Sequence, residues 1–111
     1  MILEIKETSV KLTPLLLSYI EKRFASLGRF VERYEKEGEL QTFIEVAKTT
    51  THHNKGNLFY VEVMVQLPKA LVRAETTNED FGSAVDIAKD IFKKELVKYK
   101  ETHEWKLKRG M

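Results

Sequence analysis

The sequence predicts an α+β two-layer sandwich of order β-α-β-β-β-α, a four-stranded mixed sheet with both helices on one face. Three observations carry that prediction. Phe59, Val61, Val63, Val65 and Leu67 alternate with Tyr60, Glu62, Met64 and Gln66, the period of a strand with one buried face. Phe81, Ala84, Val85, Ala88, Phe92, Leu96 and Tyr99 recur at spacings of three and four, the period of a helix with one apolar stripe. A second helical pattern begins much earlier, at Thr13-Pro14. Two amphipathic helices and a sheet bury their apolar sides only by stacking in two layers, which leaves the second sheet face largely solvated.

The elements follow in order. Ile2, Leu3 and Ile5 with interleaved charges suit a short first strand over Met1 to Glu7. Thr13 is a helix cap and Pro14 takes the first helical position, where its missing N–H costs nothing. Leu16, Leu17, Ile20, Phe24 and Leu27 line that helix's apolar face, with Tyr19 and Arg23 along the border. Gly28 is placed to end it in a left-handed cap, while Phe30, Val31 and Tyr34 leave open a further turn or two. Glu32 to Glu39 reads as a connection, and Leu40, Thr42, Ile44 and Val46 then alternate as a strand. Thr49 to Asn57, with His52, His53, Lys55 and Gly56, is a polar turn. After the strand ending at Leu67, Pro68 to Ala70 turns the chain into a last strand over Leu71 to Thr76. The long helix starts at Thr77 or Asn78, with Glu79 and Asp80 at the positive end of its dipole. The first two strands should pair in parallel and the last three should form an antiparallel meander. The layout resembles a double-stranded-RNA-binding domain with an extra strand, a likeness of architecture that does not by itself carry function.

Composition narrows the function classes. The 111 residues make one domain, read as 1–101, with a short basic tail at 102–111 that is either a free arm or docked through Trp105. No cysteine is present, which removes thiol nucleophiles, disulfides and cysteine-ligated zinc. Neither a leader-like N-terminus nor a long apolar run occurs, so a cytoplasmic protein without membrane contact is expected. His52 and His53 are adjacent and His103 is far away, a poor set for a metal, and no glycine-rich phosphate loop, G-x-S-x-G or H-E-x-x-H is found. The expectation is therefore no enzyme, no cofactor, no metal and no small-molecule substrate.

Charge placement points to a polyanion instead. From Lys89 to Arg109 there are eight basic and four acidic residues, a balance of +4 in a chain whose total is +2, so the remainder sums to −2. Lys89, Lys93 and Lys100 border one side of the long helix's apolar arc, and Lys94 and Lys98 border the other. The ordinary account of such lysines is that their stems cover the stripe's edges while Asp90 and Lys94 pair at i,i+4. Phosphate recognition, however, asks only for clustered cations on a rigid support. Lys22 and Arg23 of the first helix would join them, since helices on one sheet face lie about 8 to 10 Å apart, and Arg73 on the last strand and Lys55 in the turn would extend the surface. No strand carries the aromatic pattern that stacks single-stranded bases, so shape and phosphate recognition of structured RNA is the expected mode.

A family resemblance covers about residues 1 to 100 in the same element order. Tyr60-Val61-Glu62-Val63 through Leu67-Pro68, then Leu71-Val72-Arg73-Ala74-Glu75, Glu79-Asp80-Phe81 and Ala84-Val85-Asp86, resemble the ribosome hibernation promoting factor family, also called ribosome-associated inhibitor or ribosomal subunit interface protein. Phe92-Lys93-Lys94-Glu95-Leu96 and Lys98-Tyr99-Lys100 are similar to its lysine-rich helix. Leu12-Thr13-Pro14 and Tyr19-Ile20-Glu21-Lys22-Arg23-Phe24 are similar to its first helix. Gly82 departs from the pattern where tyrosine is usual, and Ile91 departs where lysine is common. The resemblance implies a non-enzymatic translation silencer of the cytoplasm, active in stress and stationary phase. It implies that the partners are the small ribosomal subunit, its ribosomal RNA and the 70S ribosome. Basic helices would occupy the messenger RNA and transfer RNA channel, with Lys22, Arg23, Arg73, Lys89, Lys93, Lys94, Lys98 and Lys100 as the rRNA-binding residues. The chain as given ends before the dimerisation domain of long members, so the resemblance is to short forms. A generic structured-RNA-binding module without ribosome preference is the alternative, and a domain that binds an acidic protein surface is a third reading.

Overall fold

The alternation in the strands and the stripes on the helices close into one core in the computed structural model, which describes residues 1–35, 38–50 and 57–109, with backbone alone at 50, 57 and 103–109. Strand β1 (Ile2–Thr8) leads to α1 (Pro14–Ala25), a single turn α2 (Gly28–Val31) and a 3-10 turn at Glu32–Tyr34. Three strands follow, β2 (Gln41–Thr50), β3 (Asn57–Leu67) and β4 (Ala70–Asn78), and then the long α3 (Phe81–Arg109). The sheet order is β1-β2-β3-β4, with β1 parallel to β2 and the other two pairs antiparallel. This is the mixed four-stranded sheet and meander that the patterning predicts.

One residue parity of each strand faces the helices. Ile44 and Val46 of β2, Val61, Val63 and Val65 of β3, and Val72 and Ala74 of β4 are buried there. Ile20 and Phe24 of α1, Leu27, Val31 of α2, and Ala84, Val85, Ala88, Phe92 and Leu96 of α3 close over them. The Phe24 and Phe92 rings meet at 6.4 Å in a tilted pair, joining α1 to α3 across the sheet by aromatic packing. Thr42 shares this core-facing parity and is wholly buried.

Three details differ from the sequence expectation. Gly28 does not end α1 in a left-handed cap; it opens α2, and among the described residues Gly38 is the glycine with a positive φ, at 134°. Leu27 and Val31 account for this, since both are buried and draw the chain into another helical turn. The start of α3 also shifts. Thr77 and Asn78 pair with Tyr60 and Phe59 as the end of β4, a ladder that the β-branched Thr76 and Thr77 favour. Asp80 is the cap instead: its Oδ2 accepts from the Ser83 N–H and hydroxyl, each at 2.9 Å, and its carbonyl accepts from the Ala84 N–H at 2.9 Å. Those bonds from Ser83, backbone first, hold the Asp80 carboxyl below its usual range. Finally, α3 is one unbroken helix across residue 101, where the tail was expected to begin, and extends to Arg109. It is anchored near that point by Tyr99, whose hydroxyl donates to the Pro68 carbonyl at 2.7 Å and whose ring meets Tyr34 edge-on at 5.3 Å. The polar turn with His52, His53 and Lys55 lies outside the described residues, as do the side chains of His103 and Trp105.

Candidate nucleic-acid interface

The candidate interface is the outer surface of the helical layer. Thr13 caps α1 by accepting from the Leu16 N–H at 3.2 Å, and Pro14 sits in the first turn. This start turns Ile20 and Phe24 inward, so that Lys22 and Arg23 fall in the exposed last turn, at the negative end of the dipole. On α3 the buried stripe from Phe81 to Leu96 fixes the helix's rotation. The two lysine borders then face different neighbours. Asp86 marks one border, because it accepts a hydrogen bond from the Tyr19 hydroxyl of α1 at 2.9 Å and pairs with Arg23 at 3.3 Å. Lys89, Lys93 and Lys100 follow Asp86 on the same side at three, seven and fourteen residues. On the other border Lys98 lines a groove with Leu71 and Val72 of β4. Lys93, Lys94 and Lys98 meet over the crest of α3, where with Asp90, Val97 and Glu101 they line a shallow open groove of 420 Å³.

Ionic partners separate these cations into two kinds. Among the described residues, Lys22, Lys89, Lys93, Lys94, Lys98 and Lys100 make no ion pair, and the Asp90–Lys94 pair expected at i,i+4 is not formed. Arg23 and Arg73 are engaged. The Tyr19 hydroxyl and then the Asp86 charge raise the Arg23 guanidinium further above its ordinary value. Arg73 does not join the lysines at all. It is on the open face of the sheet, where its Nε donates to Glu62 Oε2 at 2.9 Å and its Nη2 contacts both that oxygen and Glu75 Oε2, the latter at 2.8 Å. Strand parity explains this placement: Val72 and Ala74 point into the core, so Arg73 between them points away from the helices.

That open face is acidic. Lys6, Glu45, Glu62 and Glu75 lie opposite one another in a single cross-strand row, and Glu4 is on the same face. Like charges at directly opposed positions repel, and Arg73 relieves the row by bridging Glu62 and Glu75. The Tyr60 hydroxyl lies 2.8 Å from Glu62 and 2.7 Å from Glu75, with one proton to offer them. Arg73 first, and Tyr60 after it, hold the Glu62 carboxyl below the usual carboxylate range against the opposing effect of burial. Burial and the two carboxylates push the Tyr60 phenol upward. Acidic groups thus predominate on the sheet side, and the unpaired α3 lysines lie on the helical side.

Sequence reasoning did not anticipate Tyr19 and Asp86 as partners of Arg23. Tyr19 and Arg23 are i,i+4 neighbours on α1, which was legible, but the contact to Asp86 spans 67 residues and depends on the packing of α1 against α3. It also passed over Arg29, which α2 exposes and whose guanidinium lies 4.9 Å from the Phe30 ring centre. Among the described residues no cluster of three or more potential ligands suits a metal ion, and no helix is long and apolar enough to cross a membrane.

Residues 3–104 match the family model described as Sigma 54 modulation protein / S30EA ribosomal protein. The chain belongs to that family. The family fold is shared by a crystal structure of the Thermus thermophilus Protein Y N-terminal domain, with a TM-score of 0.67 at 25% identity over 89% of this chain and 99% of that one. A ribosomal subunit interface protein from Coxiella burnetii gives a TM-score of 0.66 at 22% identity, over 91% of this chain and 99% of that one, and supports the fold alone. In sequence, the ribosome hibernation promotion factor of Deinococcus radiodurans is 23% identical over 99 residues, or 89% of this chain. The chain spans about half the length of that relative, 49%.

Proposed function

We propose that this chain is a ribosome hibernation factor that binds the small ribosomal subunit through its helical layer and keeps idle ribosomes from initiating. The observation that carries the proposal is the set of unpaired lysines on the outer side of α1 and α3, opposite an acidic sheet face, in a member of the S30EA family. Mechanistically this is occupancy and not chemistry. Lysines on two packed helices present fixed positive charge to ribosomal RNA phosphates, release counterions on binding, and seat the domain in the channel used by messenger and transfer RNA. The bound protein and the translating ligands then exclude one another. The compartment that follows is the cytoplasm, the partners are the 70S ribosome and its small subunit, and no catalytic group is required.

The test is co-sedimentation of the purified protein with 30S subunits and 70S ribosomes over a salt series, with duplex RNA as competitor. Saturable binding near one copy per ribosome that resists the duplex is expected, together with inhibition of translation in vitro. Reversing the charge of Lys93, Lys94 and Lys98 should abolish binding with an unchanged melting temperature. Binding that duplex RNA removes would replace this proposal with a general structured-RNA module, and binding unaffected by the triple reversal would overturn the role of the helix.

A further inference from the structure

Arg23 is built into the helical layer differently from the lysines around it. The centre of its guanidinium lies 4.8 Å from the Tyr19 ring centroid, and its Nε is 3.3 Å from Asp86 Oδ1. The same carboxylate oxygen accepts from the Tyr19 hydroxyl at 2.9 Å, so one acidic group of α3 holds both side chains of α1. Tyr19 is itself seated against Phe81 at 6.4 Å. The guanidinium is thus fixed on one face by a ring and along one edge by a carboxylate, yet 48% of the side chain remains exposed. The adjoining surface is kept low by Gly82, where a Cβ would stand 3.5 Å from both the Tyr19 hydroxyl and Asp80 Oδ2.

This arrangement is poor for a phosphate and good for a flat ligand. A phosphate approaching Arg23 would also approach Asp86, and the charge of the arginine is already balanced by that carboxylate. A planar guanidinium, in contrast, offers a face on which a nucleobase stacks, and a guanidinium held in place by a ring beneath it loses little further freedom on binding. We propose that Arg23, clamped by Tyr19 and Asp86, is a stacking platform for an unpaired base of the bound RNA and is not one of its phosphate contacts. This rests on the RNA-binding reading above and adds to it a base-recognising position between α1 and α3.

Arg23→Lys and Arg23→Gln separate the two roles, because lysine keeps the charge and loses the plane. Binding of each variant and of the wild-type protein to isolated 30S subunits would be measured over a salt series, with melting temperatures alongside. Both variants are expected to bind about tenfold more weakly at every salt concentration, a typical loss for one stacked base, with the wild-type dependence on salt and an unchanged melting temperature. Arg23→Lys binding like wild type while Arg23→Gln flattens the salt dependence by about 0.7 to 0.9 would make Arg23 a phosphate contact and overturn the inference. A melting temperature that drops in step with affinity would overturn it too, by making the cluster a structural contact. Wild-type protein that fails to bind subunits at all would overturn the ribosome reading beneath it, an outcome distinct from both.

Discussion

Neutralising the lysines of α3 in two sets tests the proposed RNA contact and which border of the helix makes it. One variant carries Lys89, Lys93 and Lys100→Gln, on the side that Asp86 shows to face α1; the other carries Lys94 and Lys98→Gln, on the side toward β4. Glutamine keeps helix propensity and most of the side-chain length, so the change is nearly one of charge alone. Each phosphate contact contributes about 0.7 to 0.9 to the slope of log affinity against log salt. Lys22 and the five α3 lysines, none in an ion pair among the described residues, would therefore give a slope of about −4 to −5. Between roughly 50 and 200 mM salt that is a loss of several hundredfold or more in affinity. The triple variant should shallow the slope by about 2 to 3, leaving a loss of only about 20- to 40-fold over the same range, and the double variant should shallow it by about 1.5. Fluorescence titration of labelled protein with 30S subunits reads the slopes, with Lys6→Gln on the acidic face as control. Slopes unchanged by either set, or changed as much by Lys6→Gln, would refute the assignment of phosphate contacts to the helical layer.

Three further predictions concern the scaffold. Thr42 is fully buried and its hydroxyl has no hydrogen-bond partner among the described residues, so Thr42→Val should stabilise the fold by about 1 kcal/mol, a rise of about 4 °C in melting temperature; a lower melting temperature would show that the hydroxyl is satisfied. Glu62 is held below its usual range by Arg73 and Tyr60, so its contribution is present above the unfolded value near 4.3 and is lost as pH falls through the folded value. Denaturant unfolding should show wild type losing stability more steeply than Glu62→Gln as pH falls below about 5, with parallel curves refuting the coupling. Lys69 turns the β3–β4 hairpin with φ 65°, a conformation costly for any residue with a Cβ, so Lys69→Gly should be neutral or stabilising by up to about 1 kcal/mol. A clear loss of stability would mean that the lysine side chain itself supports the turn.

The layer architecture was legible because its signals are local and periodic: Val61, Val63 and Val65 at every second residue, and Ala84, Val85, Ala88, Phe92 and Leu96 at every third or fourth. Helix ends were less legible, since Thr77, Asn78 and Asp80 are all competent caps. The choice among them was made by the register of β4 against β3, a long-range property that places Thr77 opposite Tyr60. The site divides in the same way. The lysines of α3 could be read from one helix because their position depends only on that helix's rotation. Arg73 could not, because its role depends on which face of the sheet its strand parity assigns it to, and Val72 and Ala74 set that parity against the helices. Arg23 could be read as an exposed residue of the first helix, but its neutralising partner comes from another helix.

Net charge is the wrong quantity for this chain, and its two layers show why. A total of +2 predicts little attraction for a polyanion. Strand alternation, however, sends Glu4, Glu45, Glu62 and Glu75 to the open sheet face with only Lys6 and Arg73 among them, while the rotation of α3 sends its lysines to the far side of the molecule. The shortest dimension of the fold is 18 Å, longer than the screening length of about 8 Å at physiological salt. A phosphate near the helices is therefore shielded from most of the repulsion of the sheet face. The same hydrophobic periodicities that build the core thus also sort the charges. On the proposed reading, any substitution that moved an acidic residue from the sheet face to the crest of α3 would weaken RNA binding at constant total charge.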